Sequence, residues 1–198
     1  MRPSVTKPPF HADQIGSFLR PPRLLEAARA HKAKTVDEAE LRAVQDECIR
    51  EIVAFQESLG LPLITDGEFR RRGWSAGFID AIDGFGLRDG TLGFRNQSQI
   101  MGVAGSPYAK APLLRKHRIV ADDYRFLKSL VKRGIPKVTI ASPPVMHFFL
   151  GPKAFETSVY PDRDAFFDAL ASLYRDEIAD LAREGCTYLQ LDETALPC

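Results

Sequence analysis

The chain has 198 residues, with 27 Lys and Arg against 26 Asp and Glu, a formal net charge of +1. That length is ample for a hydrophobic core. A charge so near zero argues against a protein that neutralises nucleic-acid phosphates or lies on an anionic membrane. With 44% hydrophobic and 10% aromatic residues, global disorder is excluded. Three cysteines, Cys48, Cys186 and Cys198, are too few and too scattered for a disulfide framework, which points to a reduced, cytoplasmic chain. Neither the proline-rich start nor Val138 to Gly151, broken by Pro143 and Pro144, reads as a signal peptide or a bilayer span.

In chain order, Phe10 to Ser17 reads as a short strand ending in a Gly-Ser turn, and Pro21-Pro22 as punctuation. Thr35 and Glu38 have capping-box spacing. Leu41, Val44, Cys48, Ile52, Phe55 and Leu59 then recur at three- and four-residue steps, predicting one long helix closed by Gly60. Leu61 to Thr65 predicts a short buried strand with Asp66-Gly67-Glu68 at its carboxyl end. Glycines crowd the segment from Gly73 to Ala111, which reads either as a hairpin excursion or as a long loop over a site. Arg118 to Val120 predicts a strand, Asp122 the cap of a helix carrying Tyr124, Leu127, Leu130 and Val131 and terminated by Gly134, and Lys137 to Ala141 a strand cut off by Ser142-Pro143-Pro144. Asp162 to Glu184 predicts a long helix with Phe166, Leu170, Leu173, Ile178 and Leu181 inward and Gly185 at its end. Thr187 to Leu191 is the last strand, and Asp192-Glu193 follow at once. Strands alternating with helices predict an α/β fold.

Three polar clusters share one grammar: Gln14 to Ser17, Asp66 to Glu68 and Asp192-Glu193 each follow a predicted strand. In a barrel of parallel strands such clusters converge on one rim; alternatively, Asp and Ser after strands cap the next helix. Glu68 and Asp192 are candidates for holding the ammonium group of a small substrate, since a carboxylate at a closed rim needs a cation or a donor. Arg70, Arg71 and Arg72 then neutralise these acids, catch an anionic tail, or merely start a solvated helix. The four histidines, His11, His31, His117 and His147, are isolated, and no H-x-x-x-H or C-x-x-C spacing occurs, so no metal site is expected. Cys48 lies on the inward helical stripe as a small core residue, and Cys186 is expected to be buried as well. Dinucleotide, P-loop and nucleophile-elbow signatures are all missing from the sequence.

Ala12 to Pro21, then Ile64-Thr65-Asp66-Gly67-Glu68-Phe69-Arg70-Arg71, then Tyr188-Leu189-Gln190-Leu191-Asp192-Glu193, taken in order, resemble the cobalamin-independent methionine synthase family. The likeness runs from about Phe10 to Cys198 and is nearest to stand-alone proteins similar to that enzyme's C-terminal catalytic domain. The resemblance implies a TIM (β/α)8 barrel that transfers a methyl group from methylfolate to the thiol of homocysteine, with zinc activating the thiolate. Position by position, Ile15, Gly16 and Ser17 match the stretch that contacts the homocysteine carboxylate. Glu68 and Asp192 match the acids that hold its amino group. The family's zinc ligands (a His-x-Cys pair, a Glu and a further Cys) all follow the Gln-x-Asp-Glu strand, whereas this chain extends only six residues beyond Asp192. Gln14 also stands where the stand-alone relatives often have His, and Thr194 where methionine synthases have Pro.

A complete barrel needs roughly 250 residues, and only four or five of its eight strands are legible here. The expectation is therefore a single domain over 1–198, the N-terminal half of a barrel, with residues 73–111 a glycine-rich excursion or loop within it. Such a half would expose two sheet edges and an apolar interior and be catalytically incomplete, binding no zinc by itself. A truncated product is favoured over a half completed by a second chain or a second copy. The alternatives are alkyl transfer to a different thiol, or an interaction protein that pairs through its open edges.

Overall fold

The computed structural model describes residues 14–89, 93–96, 99–102 and 105–193, with side chains over 14–89 and 105–193. Phe10 to Asp13 of the expected first strand, and Thr194 and Cys198, lie outside the described residues. Pro22 does more than punctuate: it opens helix α1 (Pro22–Lys32), where its missing N–H is no loss and its φ is already helical. The next helix, α2 (Glu38–Ser58), is capped by Asp37 rather than Thr35. Asp37 accepts from the Glu40 N–H and Glu40 accepts from the Asp37 N–H, both at 2.8 Å, the reciprocal box that satisfies two orphan donors. The Thr35 hydroxyl instead donates to the Ala30 carbonyl at 3.0 Å, closing α1.

At the far end of α2, Gly60 takes φ +71. The N–H groups of Gly60 and Leu61 return to the carbonyls of Glu57 and Gln56, the Schellman closure. The buried arc of α2 is rotated from the predicted stripe: Gln45, Ile49, Val53 and Gln56 are buried with Leu41 and Cys48, whereas Phe55 and Leu59 are exposed. The cause is Gln56, whose amide exchanges hydrogen bonds with the Thr65 carbonyl and N–H at 2.8 and 3.0 Å. A polar side chain that pairs with backbone in this way is at home inside.

Strand β1 (Leu63–Ile64) pairs in parallel with β6 (Ile135–Pro136). Beyond Lys137, β7 (Val138–Ala141) pairs in parallel with β8 (Leu189–Asp192). The N–H groups of Ile135 and Lys137 reach Pro62 and Ile64, while those of Val138 and Ser142 reach Tyr188 and Asp192. Successive N–H groups of a strand point to opposite edges, so β6 and β7 form one line with β1 on one flank and β8 on the other. A parallel bridge between Ser17 and Gly67 places the first segment outside β1. Four parallel positions thus lie side by side in chain order.

Between β1 and β6, the glycine-rich stretch folds into α3 (Ala76–Ala81) and an antiparallel ribbon of β2 (Ile82–Arg88) with β5 (Ser106–Arg115). A second antiparallel pair, β3 (Gly93–Asn96) with β4 (Gln99–Gly102), lies between them in the chain. The strand predicted at Arg118 to Val120 does not form. Its N–H groups at Ile119 and Val120, with that of Ala121, donate instead to the Glu177 carboxylate at 2.7–2.8 Å, which opens α4 (Ala121–Leu130) with Val120 rather than Asp122 at the cap position. This helix ends before Gly134 because the Lys132 and Arg133 N–H groups turn aside to Glu57 Oε1, each at 2.6 Å. After the short α5 (Val145–Phe148), Asp162 caps α6 (Arg163–Arg183). Phe166, Leu170, Leu173 and Leu181 are buried as the spacing predicts, but Ile178 is exposed and Glu177 and Asp180 are buried in its stead.

Alternation along the strands sorts two environments. Ile64 joins a core with Leu24, Ile49 and Leu127, and Val138 and Ile140 join another with Phe166, Leu170 and Tyr174. Thr65, Lys137 and Thr139, on the opposite face, are buried yet polar; Lys137 Nζ donates to the Gln14 carbonyl at 2.7 Å. The apolar interior expected of an open half-barrel is therefore not what this face presents. No described helix is long and apolar enough to cross a membrane.

Candidate functional site

The turn after β1 is built around two consecutive left-handed residues, Gly67 at φ +69 and Glu68 at φ +60. A non-glycine residue there is strained by about 1–2 kcal/mol, so the surroundings must hold it. The Asp66 carboxylate accepts from the Glu68 N–H at 2.8 Å and the Thr65 hydroxyl from the Gly67 N–H at 3.2 Å. Arg20 donates to the carbonyls of Glu68 and Arg71 at 3.1 and 2.8 Å. Asp66 is thus spent on the turn, and the Glu68 side chain is aimed inward.

Glu68 is buried, accepts from the Thr139 hydroxyl at 2.6 Å and pairs with Arg71 at 3.2 Å. Arg71 also donates to the Thr139 carbonyl. Of the arginine run, only Arg71 neutralises a site acid. Arg70 is buried between Asp46 and Asp123 with its guanidinium over the Phe126 ring, and exposed Arg72 pairs with Asp80. Gly16 packs directly on this group at φ +122: a Cβ there would lie 2.5 Å from Thr139 Cγ2 and 3.1 Å from Glu68 Oε1. Its carbonyl accepts from the Thr65 hydroxyl at 2.7 Å. Ser17 beside it is exposed, and its N–H donates to no described acceptor.

From the other margin of the sheet, Gln190 donates to the Ile15 carbonyl at 2.7 Å and to the Asp192 carboxylate at 2.6 Å. The Ser142 hydroxyl donates to Glu193 at 2.5 Å. Burial, and next the Glu193 charge, push the Tyr174 phenol well above its ordinary pKa, so it remains a proton donor to the Ala141 carbonyl. Ile15, Ser17, Glu68 and Asp192, each singled out in the sequence, line one cleft of about 510 Å³ together with Trp74, Gln190, Leu191 and Glu193. Arg71 was anticipated within the arginine run as a partner for these acids, whereas Trp74, Gln190 and Thr139 were not singled out. Only Gln190 carried a usable signal, standing two residues before Asp192 on a strand and hence on the same face.

The family model described as the catalytic domain of cobalamin-independent synthase matches residues 10–197. The chain belongs to this family. The uncharacterised Bacillus subtilis protein YxjH is 34% identical over 196 residues, covering 96% of this chain and 49% of YxjH. A methionine synthase of Sulfurisphaera tokodaii is 28% identical over 187 residues, 92% of this chain and 51% of that enzyme. The crystal structure of a candidate vitamin-B12-independent methionine synthase from Listeria monocytogenes superposes with a TM-score of 0.74 at 30% identity, covering 95% of this chain and 53% of that one. A B12-independent methionine synthase from Shewanella sp. W3-18-1, in complex with selenomethionine, gives 0.64 at 20% identity over 81% and 44%, a likeness of fold alone. The fold is of the B12-independent methionine synthase type, and the chain spans about half the length of the curated relatives named here.

Zinc is the cofactor this family implies. Among the described residues no three His, Cys, Asp or Glu side chains gather as a metal-binding group. Cys48 is buried under α1, with Arg23 Nε 3.3 Å from its sulfur, and Cys186 is half-buried rather than buried. His147 packs on Phe167, and burial, aided by the Arg163 charge, holds its imidazole below the ordinary pKa. The described donor set does not fit a zinc ion.

Proposed function

We propose that this chain forms the amino-acid-binding half of a methionine-synthase-like S-methyltransferase domain, a single unit over residues 1–198 with four of a barrel's eight parallel strands. Its ligand is a homocysteine-like thiol amino acid, with methylfolate as the methyl donor of the complete domain. The observation that carries this reading is the convergence of Ile15, Ser17, Glu68 and Asp192, from three distant segments, on one cleft. Two carboxylates suit an ammonium group, and the Ser17 N–H, which donates to no acceptor among the described residues, suits a carboxylate together with its hydroxyl. Ile15, Trp74 and Leu191 supply apolar wall for the thioether or thiol end. Without a donor set for zinc among its described residues, this chain by itself binds the amino acid without methylating it, in a cytoplasmic setting.

Trp74 is the chain's one tryptophan and lines the cleft, so its fluorescence reports occupancy. Titration with homocysteine and methionine is expected to give saturable changes at micromolar to millimolar ligand. An analogue lacking the amino group should bind far more weakly, and Asp192→Asn should weaken the parent amino acids roughly ten- to hundred-fold. Equal binding of the deaminated analogue, or no saturable change, refutes the amino-acid reading. Turnover of homocysteine and methylfolate by the pure chain with added zinc refutes its incompleteness.

A further inference from the structure

Gln190 sits on β8, the last strand of the line, whereas Ile15 belongs to the first segment, beyond β1. The two are 175 positions apart, yet Gln190 Nε2 lies 2.7 Å from the Ile15 carbonyl oxygen and 2.6 Å from Asp192 Oδ1. The sheet is therefore curled enough for its two margins to meet across the inner face, and one side-chain amide closes the gap. Both partners are acceptors with no proton to give. Only the NH2 end of the amide fits there, and its two N–H bonds are matched one to each.

Two consequences follow for the cleft. Because a peptide unit is planar, fixing the Ile15 carbonyl fixes the plane that leads into Gly16 and hence the approach of Ser17 to the cleft. Holding Asp192 by Oδ1 leaves its second oxygen for a cation. We infer that Gln190 is a positioning residue that couples the two ends of the site, keeping the Ile15–Ser17 segment and the Asp192 carboxylate at the spacing of an α-amino acid's carboxylate and ammonium. This rests on the amino-acid reading proposed above.

Shape and hydrogen bonding make opposite demands at this position, which makes the proposal testable in the full chain. Gln190→Glu is nearest in shape but sets an oxygen against two acceptors, whereas Gln190→Met removes the donor without adding charge. Methionine binding, followed through Trp74 fluorescence near neutral pH, is expected to weaken roughly ten- to hundred-fold in Gln190→Met and further in Gln190→Glu. Part of the Gln190→Glu loss should be restored near roughly pH 5, as the introduced carboxyl takes up a proton. Amide exchange over residues 14–20 should be faster in both variants than in the wild type, with thermal unfolding little changed.

Wild-type affinity in both variants, or Gln190→Glu binding as well as wild type while Gln190→Met does not, overturns the coupling but leaves the amino-acid reading standing. If the wild type binds no amino acid, that reading fails instead. Exchange then decides the rest: faster exchange in the variants supports the pinning of Ile15–Ser17, and unchanged exchange overturns it.

Discussion

Gly16→Ala puts the packing of the site under the most direct strain. Two separate costs are visible at this position. The backbone sits at φ +122, a conformation that costs a non-glycine residue about 1–3 kcal/mol. The new methyl would also meet Thr139 Cγ2 at 2.5 Å and Thr139 Oγ1 at 3.3 Å. Overpacking of this kind costs another 1–3 kcal/mol or so, giving about 2–6 kcal/mol in all. Thr139→Ala alone loses the 2.6 Å hydrogen bond to the Glu68 carboxylate, about 1.5–3 kcal/mol, but it also removes two of the three atoms that the methyl would meet, including the nearest, and leaves Glu68 Oε1 at 3.1 Å. The double variant is therefore expected to be more stable than the sum of the two single effects by about 1–3 kcal/mol, while the backbone share persists. Urea unfolding with linear extrapolation measures all four corners of the cycle. Strict additivity refutes the clash as a source of the loss, and a stable Gly16→Ala refutes both.

The remaining expectations concern the scaffold. Glu177 is 1% exposed and accepts from three backbone N–H groups while pairing with Arg115 at 2.9 Å. Glu177→Ala should destabilise by about 3–5 kcal/mol, since it leaves the three N–H donors at the start of α4 without their acceptor, although Arg115 keeps Asp180; denaturant titration showing under 1 kcal/mol would exclude that role. Glu184 is held at a pKa of about 2 by hydrogen bonds from Arg125 and Arg118. A carboxylate with a depressed folded-state pKa contributes stability fully above its unfolded value near 4.5 and loses it as pH falls toward 2. Melting temperatures across that window should fall less steeply for Glu184→Gln than for the wild type, and parallel profiles would count against the linkage.

Much of the fold is legible from local chemistry. Gly60 and Gly185 close α2 and α6 with the same backbone pattern, and the apolar runs before Asp66 and Asp192 form strands. What escaped is what depends on distant partners. Arg118 to Val120 has the composition of a strand, but Glu177, 57 positions from Val120, takes its N–H groups and turns it into a helix start. The face of α2 is set by Gln56, which pairs with Thr65, and both it and buried Gln45 are polar residues that a search for apolar periodicity discards. In the site, strand ends marked the three polar clusters and residue chemistry put forward Glu68 and Asp192, whereas Ile15 and Ser17 were singled out individually only by the family resemblance. Trp74 comes from the segment after the arginine run, and Thr139 from a strand interior, so neither carried a local mark.

The Asp66-Gly67-Glu68 turn bears on why this face is polar at all. Left-handed Glu68 is strained, and a buried ion pair such as Glu68 with Arg71 often contributes little net stability compared with apolar residues of the same volume. Three further groups (Asp66, Thr65 and Arg20) are committed to holding the turn. Stability itself is served elsewhere, by the two apolar cores on the helix side of the sheet. A strand face that could have been packed with Val and Ile instead carries Thr65, Thr139 and Lys137, each with a polar partner. Strain and desolvation of this size concentrate where a ligand must be recognised. The expenditure makes physical sense if the inner face is a recognition surface for a charged, zwitterionic guest.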